Sequence, residues 1–319
     1  MNYAGDRRNL KRAGVYQVYG LTFQSELELP ELSLAQSRDI DAEVVLGHVP
    51  FKLANSSGRY GWIEFSDRSC LLKIKNIGRF LIEDGNSITI DRREDRTRRR
   101  ASGTPAPDIR AYLLGSCFGA LLHQRGWLPM HVGAVHAKNG VWAFTGASGA
   151  GKSTLTAWLH RQLGLPIVCD DVGVIRQGDK AAKLYPGPNK LKLCEDALDH
   201  FGFKESRCLQ DLTNTSKYQV YLENSQVLAP EPIRSLVILE PHADGAGNGL
   251  TRIRGAQAFP YIMSAIYRPL MAWKFRQGAD LANDVIRLCN KIEVYTLNRR
   301  WGLSVMEKEL QPLVEKILA

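Results

Sequence analysis

The N-terminal third of the chain has the alternation of apolar and polar positions that is typical of β-strands. Between Val15 and Asp91, the segments GWIEF, CLLKIKNI, RFLIED and SITIDR are short and rich in β-branched and aromatic residues. The sequence Asp84-Gly85-Asn86, between the last two of these segments, is a hairpin signal. The pattern predicts a small β-rich N-terminal domain.

Composition changes in the segment DRREDRTRRRASGTPAPD, where charge, proline, glycine and serine cluster. We place a domain boundary here, with residues 1–104 as the β-rich domain and its basic linker and residues 105–319 as a catalytic domain. The next segment, DIRAYLLGSCFGALLHQRG, has apolar residues at helical spacing. It predicts a core-packing helix with Asp108 as N-cap and Gly126 as its end.

From His131 onward, strand-like and helix-like segments alternate, which predicts an α/β domain. The expected buried strands are GVWAF, LPIVC, RSLVILE and IEVYTL. The expected helices are EDALDHFG, the stretch from Ala256 to Trp273, ADLANDVIRLCN and VMEKELQPLVEKIL.

Length and composition agree with a folded protein of two domains. The chain has 319 residues, of which 44% are apolar and 24% charged. It lacks an apolar run of the roughly 20 residues that span a bilayer, and its N-terminus is too polar for a secretory signal. The six cysteines are scattered without a CxxC pair. We therefore expect a cytoplasmic protein with reduced thiols and no membrane partner.

The formal net charge is +9, and six arginines lie between Asp91 and Arg100. This run is typical of a solvated linker, and the alternative is a patch that attracts an acidic partner. A nucleic-acid partner is not favoured, because no aromatic residue is interleaved with these arginines.

The segment Gly146–Ser153 matches the pattern G-x-x-x-x-G-K-[ST], between an apolar strand and a helix. Glycines let several backbone N–H groups converge on one anion, and the helix N-terminus adds further donors. Lys152 supplies a movable positive charge for the β- and γ-phosphates, and the Ser153 hydroxyl can bind Mg²⁺. The motif predicts that a nucleotide binds here, with Mg²⁺, although a degenerate loop would have lost binding. The residues expected to contact the nucleotide are Gly146, Ala147, Ser148, Gly149, Ala150, Gly151, Lys152, Ser153 and Thr154.

Two adjacent aspartates, Asp170 and Asp171, follow the strand LPIVC. A single helix separates this strand from the loop, so we expect both carboxylates near the bound phosphates. One carboxylate suits Mg²⁺ and the other suits a base that takes a proton from an attacking hydroxyl. The alternative is one metal-linked and one structural aspartate. The guanine-binding N-K-x-D and the transporter LSGGQ signatures are absent from the sequence.

These residues resemble a known family. His131, the loop and the aspartate pair are similar to the catalytic domain of HPr kinase/phosphorylase. The segments YGLTFQSELELPEL, IGRFLIEDG, LLHQRGWLPMH and YPGPNKLKL extend the resemblance to the HPr-kinase-like proteins encoded beside lasso-peptide genes. The resemblance implies an α/β P-loop kinase domain like the C-terminal domain of HPr kinase/phosphorylase, preceded by a small β-rich domain. It also implies ATP- and Mg²⁺-dependent phosphorylation of the C-terminal serine of a precursor peptide, by a homo-oligomer.

The resemblance also implies roles for individual residues. Asp170 takes the position of the base, Asp171 that of the metal-linked carboxylate together with Ser153, and His131 that of a histidine near the phosphates. Two departures stand against HPr as acceptor and against the reverse phosphorylase reaction. The family's glutamate-arginine-glycine signature is missing, and Thr154 stands where the bifunctional enzymes carry an acidic residue.

An acceptor that ends in serine carries a carboxylate beside its hydroxyl, which a lysine or arginine would bind. The leading candidates are Lys190, Lys192 and Lys217, and behind them come Arg252, Arg254 and Arg268. Two other functions remain open: a kinase for a small hydroxylated metabolite such as free serine, and a non-catalytic ATP-binding regulator of peptide maturation. The paired aspartates favour catalysis over binding alone.

Overall fold

The computed structural model describes residues 14–37, 39–92, 106–203, 208–210, 216–222, 229–241, 249–300 and 302–319. The chain divides into two compact units, Met1–Arg125 and Gly126–Ala319. Most of the arginine run, residues 93–100, lies outside the described residues, so its role as a linker stays a prediction.

The first unit is built on one β-sheet. Its strands are β1 Gly14–Val18, β2 Leu21–Ser25, β3 Ser33–Leu34, β4 Ala42–Leu46, β5 Gly58–Tyr60, β6 Ile63–Phe65, β7 Ser69–Ile74, β8 Gly78–Glu83 and β9 Ser87–Arg92. Across the described residues the order is β3-β1-β2-β4-β9-β8-β7-β6-β5. The hairpin predicted at Asp84-Gly85-Asn86 joins β8 to β9, where Asp84 and Gly85 both have positive φ.

The helical segment after the linker belongs to the first unit. It consists of α1 Ala106–Tyr112, a π-helical stretch at Leu113–Cys117, and α2 Phe118–Gln124. Its side chains pack on the β-strands: the Phe118 ring lies 4.9 Å from that of Phe23, and the Tyr19 hydroxyl donates to the Leu114 carbonyl. The compact units therefore divide after Arg125, beyond the boundary placed at residues 104–105 from composition. Asp108 lies inside α1 and does not cap it.

The second unit contains two sheets, and the larger of them has nine strands among the described residues, as many as the sheet of the first unit. The strands of this larger sheet are β10 Leu128–Met130, β11 Gly133–Ala137, β12 Gly140–Gly146, β13 Ile167–Cys169, β14 Gly173–Gln177, β15 Ala182–Tyr185, β19 Glu231–Pro241, β20 Gly249–Ile253 and β21 Glu293–Arg299. In the described residues, β12, β19 and β21 run parallel, and β11 runs antiparallel between β12 and β13. Strands β12 and β13 therefore end at the same edge of the sheet, and β11 starts at that edge.

A three-stranded sheet with the order β16-β18-β17 accompanies it, formed by β16 Lys190–Cys194, β17 Cys208–Gln210 and β18 Lys217–Tyr221. The helices of the unit are α3 Lys152–Leu163, α4 Glu195–Phe201, α5 Ala258–Ser264, α6 Pro269–Phe275, α7 Gly278–Cys289 and α8 Met306–Leu318. The one helix predicted from Ala256 to Trp273 is wrong. The chain breaks between α5 and α6, because Arg268 is left-handed and Pro269 starts a new helix.

Helices cover both faces of the larger sheet. Alternate residues of β12 point to opposite faces: Trp142 and Phe144 pack in a cluster with α3 and α8, and Val141 and Ala143 in a cluster with α5 and α7. A strand buried on both sides explains the nearly continuous apolar sequence GVWAF. Among the described residues, none of the helices is long and apolar enough to cross a membrane.

Candidate active site

A tight glycine-containing loop connects β12 to α3. At Gly146 an added Cβ would lie 2.7 Å from the Leu239 carbonyl oxygen of β19, so a larger residue does not fit there. Gly151 precedes α3 with φ of 76°, in the left-handed region that favours glycine. The loop thus delivers its backbone to the N-terminus of a 12-residue helix, where N–H groups without intrahelical partners attract anions.

Lys152 lies within the curve of this loop. It is 8% exposed, and its Nζ donates hydrogen bonds to the carbonyls of Gly146, at 2.9 Å, and Ala147, at 3.2 Å. Burial lowers the pKa of Lys152, the charge of Asp170 raises it, and that of Lys217 lowers it. The ammonium group therefore lies against the loop carbonyls, within reach of the charges of both aspartates and of Lys217.

Asp170 is almost completely buried at the end of β13, with 2% exposure. Its Oδ2 accepts the Lys192 backbone N–H at 2.7 Å, whereas the buried Oδ1 has no hydrogen-bond partner among the described residues. Burial raises the pKa of Asp170, the Lys192 amide lowers it, and the Asp171 charge raises it again. The Ser153 hydroxyl is near enough to lower this pKa, although it does not reach hydrogen-bonding geometry with Oδ1.

The surroundings of Oδ1 show why β11 starts with glycine. A Cβ on Gly133 would lie 2.3 Å from the Thr156 hydroxyl oxygen and 3.4 Å from Asp170 Oδ1. Strand β11 thus passes directly against α3, and Asp170 Oδ1 lies beside this contact. A cysteine next to the pair, Cys169, is buried, and burial raises the pKa of its thiol, so it is a core residue and not a reactive one.

Asp171 differs from its neighbour in exposure and in partners. Its side chain is 27% exposed, its Oδ2 lies 2.9 Å from Lys192 Nζ, and its Oδ1 lies 3.3 Å from His131 Nδ1. Although burial opposes ionisation, the charge of Lys192 and the contact with His131 hold the pKa of Asp171 well below its usual range. Asp171 also has φ of 80°, an uncommon conformation for a residue other than glycine.

His131 is held beside Asp171 by the start of β11. Its backbone N–H donates to the Ala265 carbonyl at 2.7 Å, and its Nδ1 lies 2.9 Å from the carbonyl oxygen of Asp171. Its ring lies 6.1 Å from that of Tyr267. The backbone N–H of Tyr267 donates to the Pro129 carbonyl at 2.9 Å. Two backbone hydrogen bonds therefore connect the segment around His131 to the segment around Tyr267.

Tyr267 and Arg268 are functional candidates whose place in the site the sequence did not indicate. The Arg268 guanidinium carbon lies 5.5 Å from the centre of the Tyr267 ring. Burial raises the pKa of the Tyr267 hydroxyl, the Asp171 charge raises it further, and Arg268 lowers it. The sequence signal for Arg268 was only its charge, because its neighbour Tyr267 comes close to His131 only in the tertiary fold.

The structure brings most of the predicted site residues together. The loop, Lys152, Ser153, Asp170, Asp171 and His131 gather at one sheet edge, with Thr154 in the first turn of α3. The three candidate lysines have different surroundings. Lys192 pairs with Asp171, Lys190 is 7% exposed and donates to Gln219 at 3.1 Å, and Lys217 lies close enough to Lys152 to affect its pKa.

A divalent cation fits this arrangement. The described residues contain no cluster of three His, Cys, Asp or Glu side chains that could hold a metal alone. Mg²⁺ commonly uses one or two carboxylates and completes its shell with phosphate oxygens and water. Asp170 suits that mode, because its buried Oδ1 has no hydrogen-bond partner in the part of the chain that the structure describes, and so does the adjacent Ser153 hydroxyl.

Comparisons with known proteins add little to this geometry. No family model matches the sequence, and no curated protein matches it. Among solved structures, the HPr(Ser) kinase/phosphatase from Coxiella burnetii is similar over 60% of this chain and 92% of its own, with 12% identity and a TM-score of 0.30. A TM-score at this level does not by itself establish a shared fold. The class that the structure defines is a mixed α/β protein with a glycine loop and paired aspartates at one sheet edge.

Proposed function

We propose that this protein is an ATP- and Mg²⁺-dependent kinase that transfers the γ-phosphate to a serine hydroxyl. The observation that carries the proposal is the buried Asp170 Oδ1, which has no hydrogen-bond partner among the described residues and lies beside the contact of β11 with α3. A buried carboxylate oxygen without a partner is costly unless a cation completes it. Next to a phosphate loop, the expected cation is the Mg²⁺ that accompanies ATP.

The glycine loop and Lys152 form the nucleotide-binding part of the proposed site. Loop amides and the N-terminus of α3 hold the phosphates, and Lys152 exchanges its two loop carbonyls for phosphate oxygens. Bound Mg²⁺ would offset the negative charge on the β- and γ-phosphates. Lys152 supports the same negative charge as it spreads over the transferring group.

We propose that one aspartate binds Mg²⁺ and that the other acts on the serine hydroxyl. The family resemblance gives the base role to Asp170 and the metal role to Asp171, but their exposures support the opposite division. Asp170 is 2% exposed and faces Ser153, which favours metal binding. Asp171 is 27% exposed beside His131, where a hydroxyl from solvent has access.

Asp171 then orients the serine hydroxyl and accepts its proton. The transition state of phosphoryl transfer is loose in most analyses, so the hydroxyl keeps its proton until late. A carboxylate with a low pKa serves this step, because orientation matters more than strong basicity. His131 and Lys192 fix the two carboxylate oxygens and hold the group ionised.

The acceptor proposed is the C-terminal serine of a lasso precursor peptide. Its support is the sequence resemblance carried by YGLTFQSELELPEL, LLHQRGWLPMH and YPGPNKLKL. A partly exposed Asp171 and His131 also suit a peptide end that enters from solvent. The protein is further proposed to act as a homo-oligomer, again on the resemblance.

Mass spectrometry of a peptide ending in serine, after incubation with ATP and Mg²⁺, tests the proposal. A single phosphate on the terminal serine is expected, and none with Lys152→Ala. Free serine is assayed in parallel. Phosphorylation of free serine but not of the peptide would support a metabolite kinase, and nucleotide binding without transfer to either would support a regulator.

A further inference from the structure

The backbone strain in the second unit is concentrated around one pair of rings. Among the described residues of this unit, the non-glycine residues with left-handed backbone are Asp171, with φ of 80°, and Arg268, with φ of 49°. Such conformations are unfavourable for residues that carry a side chain and tend to occur at functional sites. Asp171 contacts His131, Arg268 lies over Tyr267, and the two rings lie 6.1 Å apart.

We propose that Arg268, held by Tyr267, binds the carboxylate of the acceptor next to the hydroxyl that Asp171 and His131 receive. This inference rests on the proposed function and deepens it by naming the group that the acceptor must carry. A guanidinium presents two parallel N–H donors that match a carboxylate, which is why arginine suits this ligand better than lysine.

Position and exposure support Arg268 over the lysines. Lys192 is paired with Asp171 at 2.9 Å, and Lys190 is buried against Gln219. Lys217 lies close enough to Lys152, on the side proposed for the nucleotide, to lower its pKa. Arg268 is exposed, and its segment is fixed to the His131 segment by two backbone hydrogen bonds, from His131 to Ala265 and from Tyr267 to Pro129.

The ring of Tyr267 lies near both halves of this site. Its centre lies 5.5 Å from the Arg268 guanidinium carbon and 6.1 Å from the centre of the His131 ring, and the charges of both Asp171 and Arg268 affect the pKa of its hydroxyl. We therefore expect a ligand with a hydroxyl and a carboxylate on neighbouring carbons to bind Asp171 through the hydroxyl and Arg268 through the carboxylate. A serine at a peptide C-terminus and free serine both have this shape.

Binding of minimal acceptors to the full chain tests the inference. N-acetyl-L-serine and N-acetyl-L-serinamide are titrated by ligand-observed NMR, with Mg²⁺ and a non-hydrolysable ATP analogue present. Charge-assisted hydrogen bonds predict that the wild type binds the acid about 10- to 100-fold more tightly than the amide. Arg268→Gln should lower the affinity for the acid to that for the amide and leave the amide unchanged.

Three further variants complete the design. Arg268→Lys should keep part of the preference, and Arg268→Gly, which suits left-handed backbone, repeats the test if the glutamine variant does not fold. Arg254→Gln is the matched control, because this exposed arginine follows β20 at the opposite sheet edge. It should keep the wild-type preference.

Three results would contradict a carboxylate-binding role for Arg268: equal binding of acid and amide by the wild type, no binding of either ligand, or a preference for the acid that survives Arg268→Gln and Arg268→Gly. An equal loss of affinity for both ligands in these variants would also contradict it. That result would indicate that Arg268 contacts the nucleotide phosphates or supports the fold. An L-serine titration separates two sources of the carboxylate: tighter binding than N-acetyl-L-serine indicates a free amino acid, and weaker binding a peptide end. Phosphate transfer is scored separately, so the kinase proposal and the carboxylate site can fail independently.

Discussion

Lys192 forms an ion pair with Asp171, in which Nζ lies 2.9 Å from Oδ2. The same lysine donates its backbone N–H to Asp170 at 2.7 Å, so one residue of β16 contacts both carboxylates. Because β16 belongs to the three-stranded sheet, this contact links that sheet to the end of β13. The ion pair also keeps Asp171 ionised, and its removal has measurable consequences.

Lys192→Met should lower the free energy of unfolding by about 1 kcal/mol at pH 7, as expected for a partly buried charged pair. The pKa of Asp171 is depressed in the folded state, so its contribution is present above the ordinary aspartate pKa, roughly 4, and is lost as pH falls through the folded value. The difference between wild type and variant in urea unfolding should therefore be constant near pH 7 and shrink in acid. Lys183→Met, at an exposed position of β15, is the control and should show neither effect.

Asp170→Asn should leave the nucleotide-free protein as stable as the wild type or more stable at pH 7. The pKa of Asp170 is raised in the folded state, so folding favours the protonated form and stability falls as pH rises above the unfolded value. Asparagine cannot ionise, so the variant does not lose stability in this way, and the difference in melting temperature between variant and wild type should shrink towards pH 4. Thermal denaturation of both proteins between pH 4 and pH 8 measures this difference. If the variant melted well below the wild type at every pH, burial of the Asp170 charge would not be unfavourable.

A kinetic assay should distinguish the roles of Asp170 and Asp171. If Asp170 binds Mg²⁺, Asp170→Asn shifts the Mg²⁺ dependence of activity to higher concentrations and weakens the stabilisation by MgATP. If Asp171 serves the hydroxyl, Asp171→Asn lowers turnover by a factor of roughly 10² to 10⁴ with little change in nucleotide affinity. Asparagine also tolerates the left-handed backbone at this position. The reverse pattern would restore the division implied by the family resemblance, and unchanged turnover in both variants would make the pair structural.

Lys152→Ala should lower phosphate transfer by roughly 10²- to 10³-fold, the usual effect of losing one donor to the developing charge. The free-energy cost to folding should be small, because the lysine donates to loop carbonyls that water can reach. Lys138→Ala, an exposed lysine in the turn between β11 and β12, is the matched control. Wild-type turnover in Lys152→Ala, measured with the same acceptor, would show that the glycine loop does not hold the transferred phosphate.

The sequence determined those features that depend on short-range pattern. The apolar strand GVWAF, the glycines at positions 146 and 151 and the helix after them are fixed by local conformation and by burial on both faces of the sheet. For the same reason, the hairpin at Asp84-Gly85 and the helices at 195–201, 278–289 and 306–318 lie where the pattern placed them. The adjacency of the aspartates to the loop followed from the crossover connection alone.

The tertiary structure decided which groups meet at the sheet edge. No local pattern shows that β11 runs antiparallel between β12 and β13, yet this reversal puts His131 at the edge where the parallel strands end. Two neighbours in sequence, Asp170 and Asp171, receive opposite pKa shifts, because burial prevails at Asp170, whereas the charge of Lys192 and the contact with His131 outweigh burial at Asp171. Tyr267 and Arg268 join the site through contacts with residues more than a hundred positions away, which depend on packing and not on periodicity.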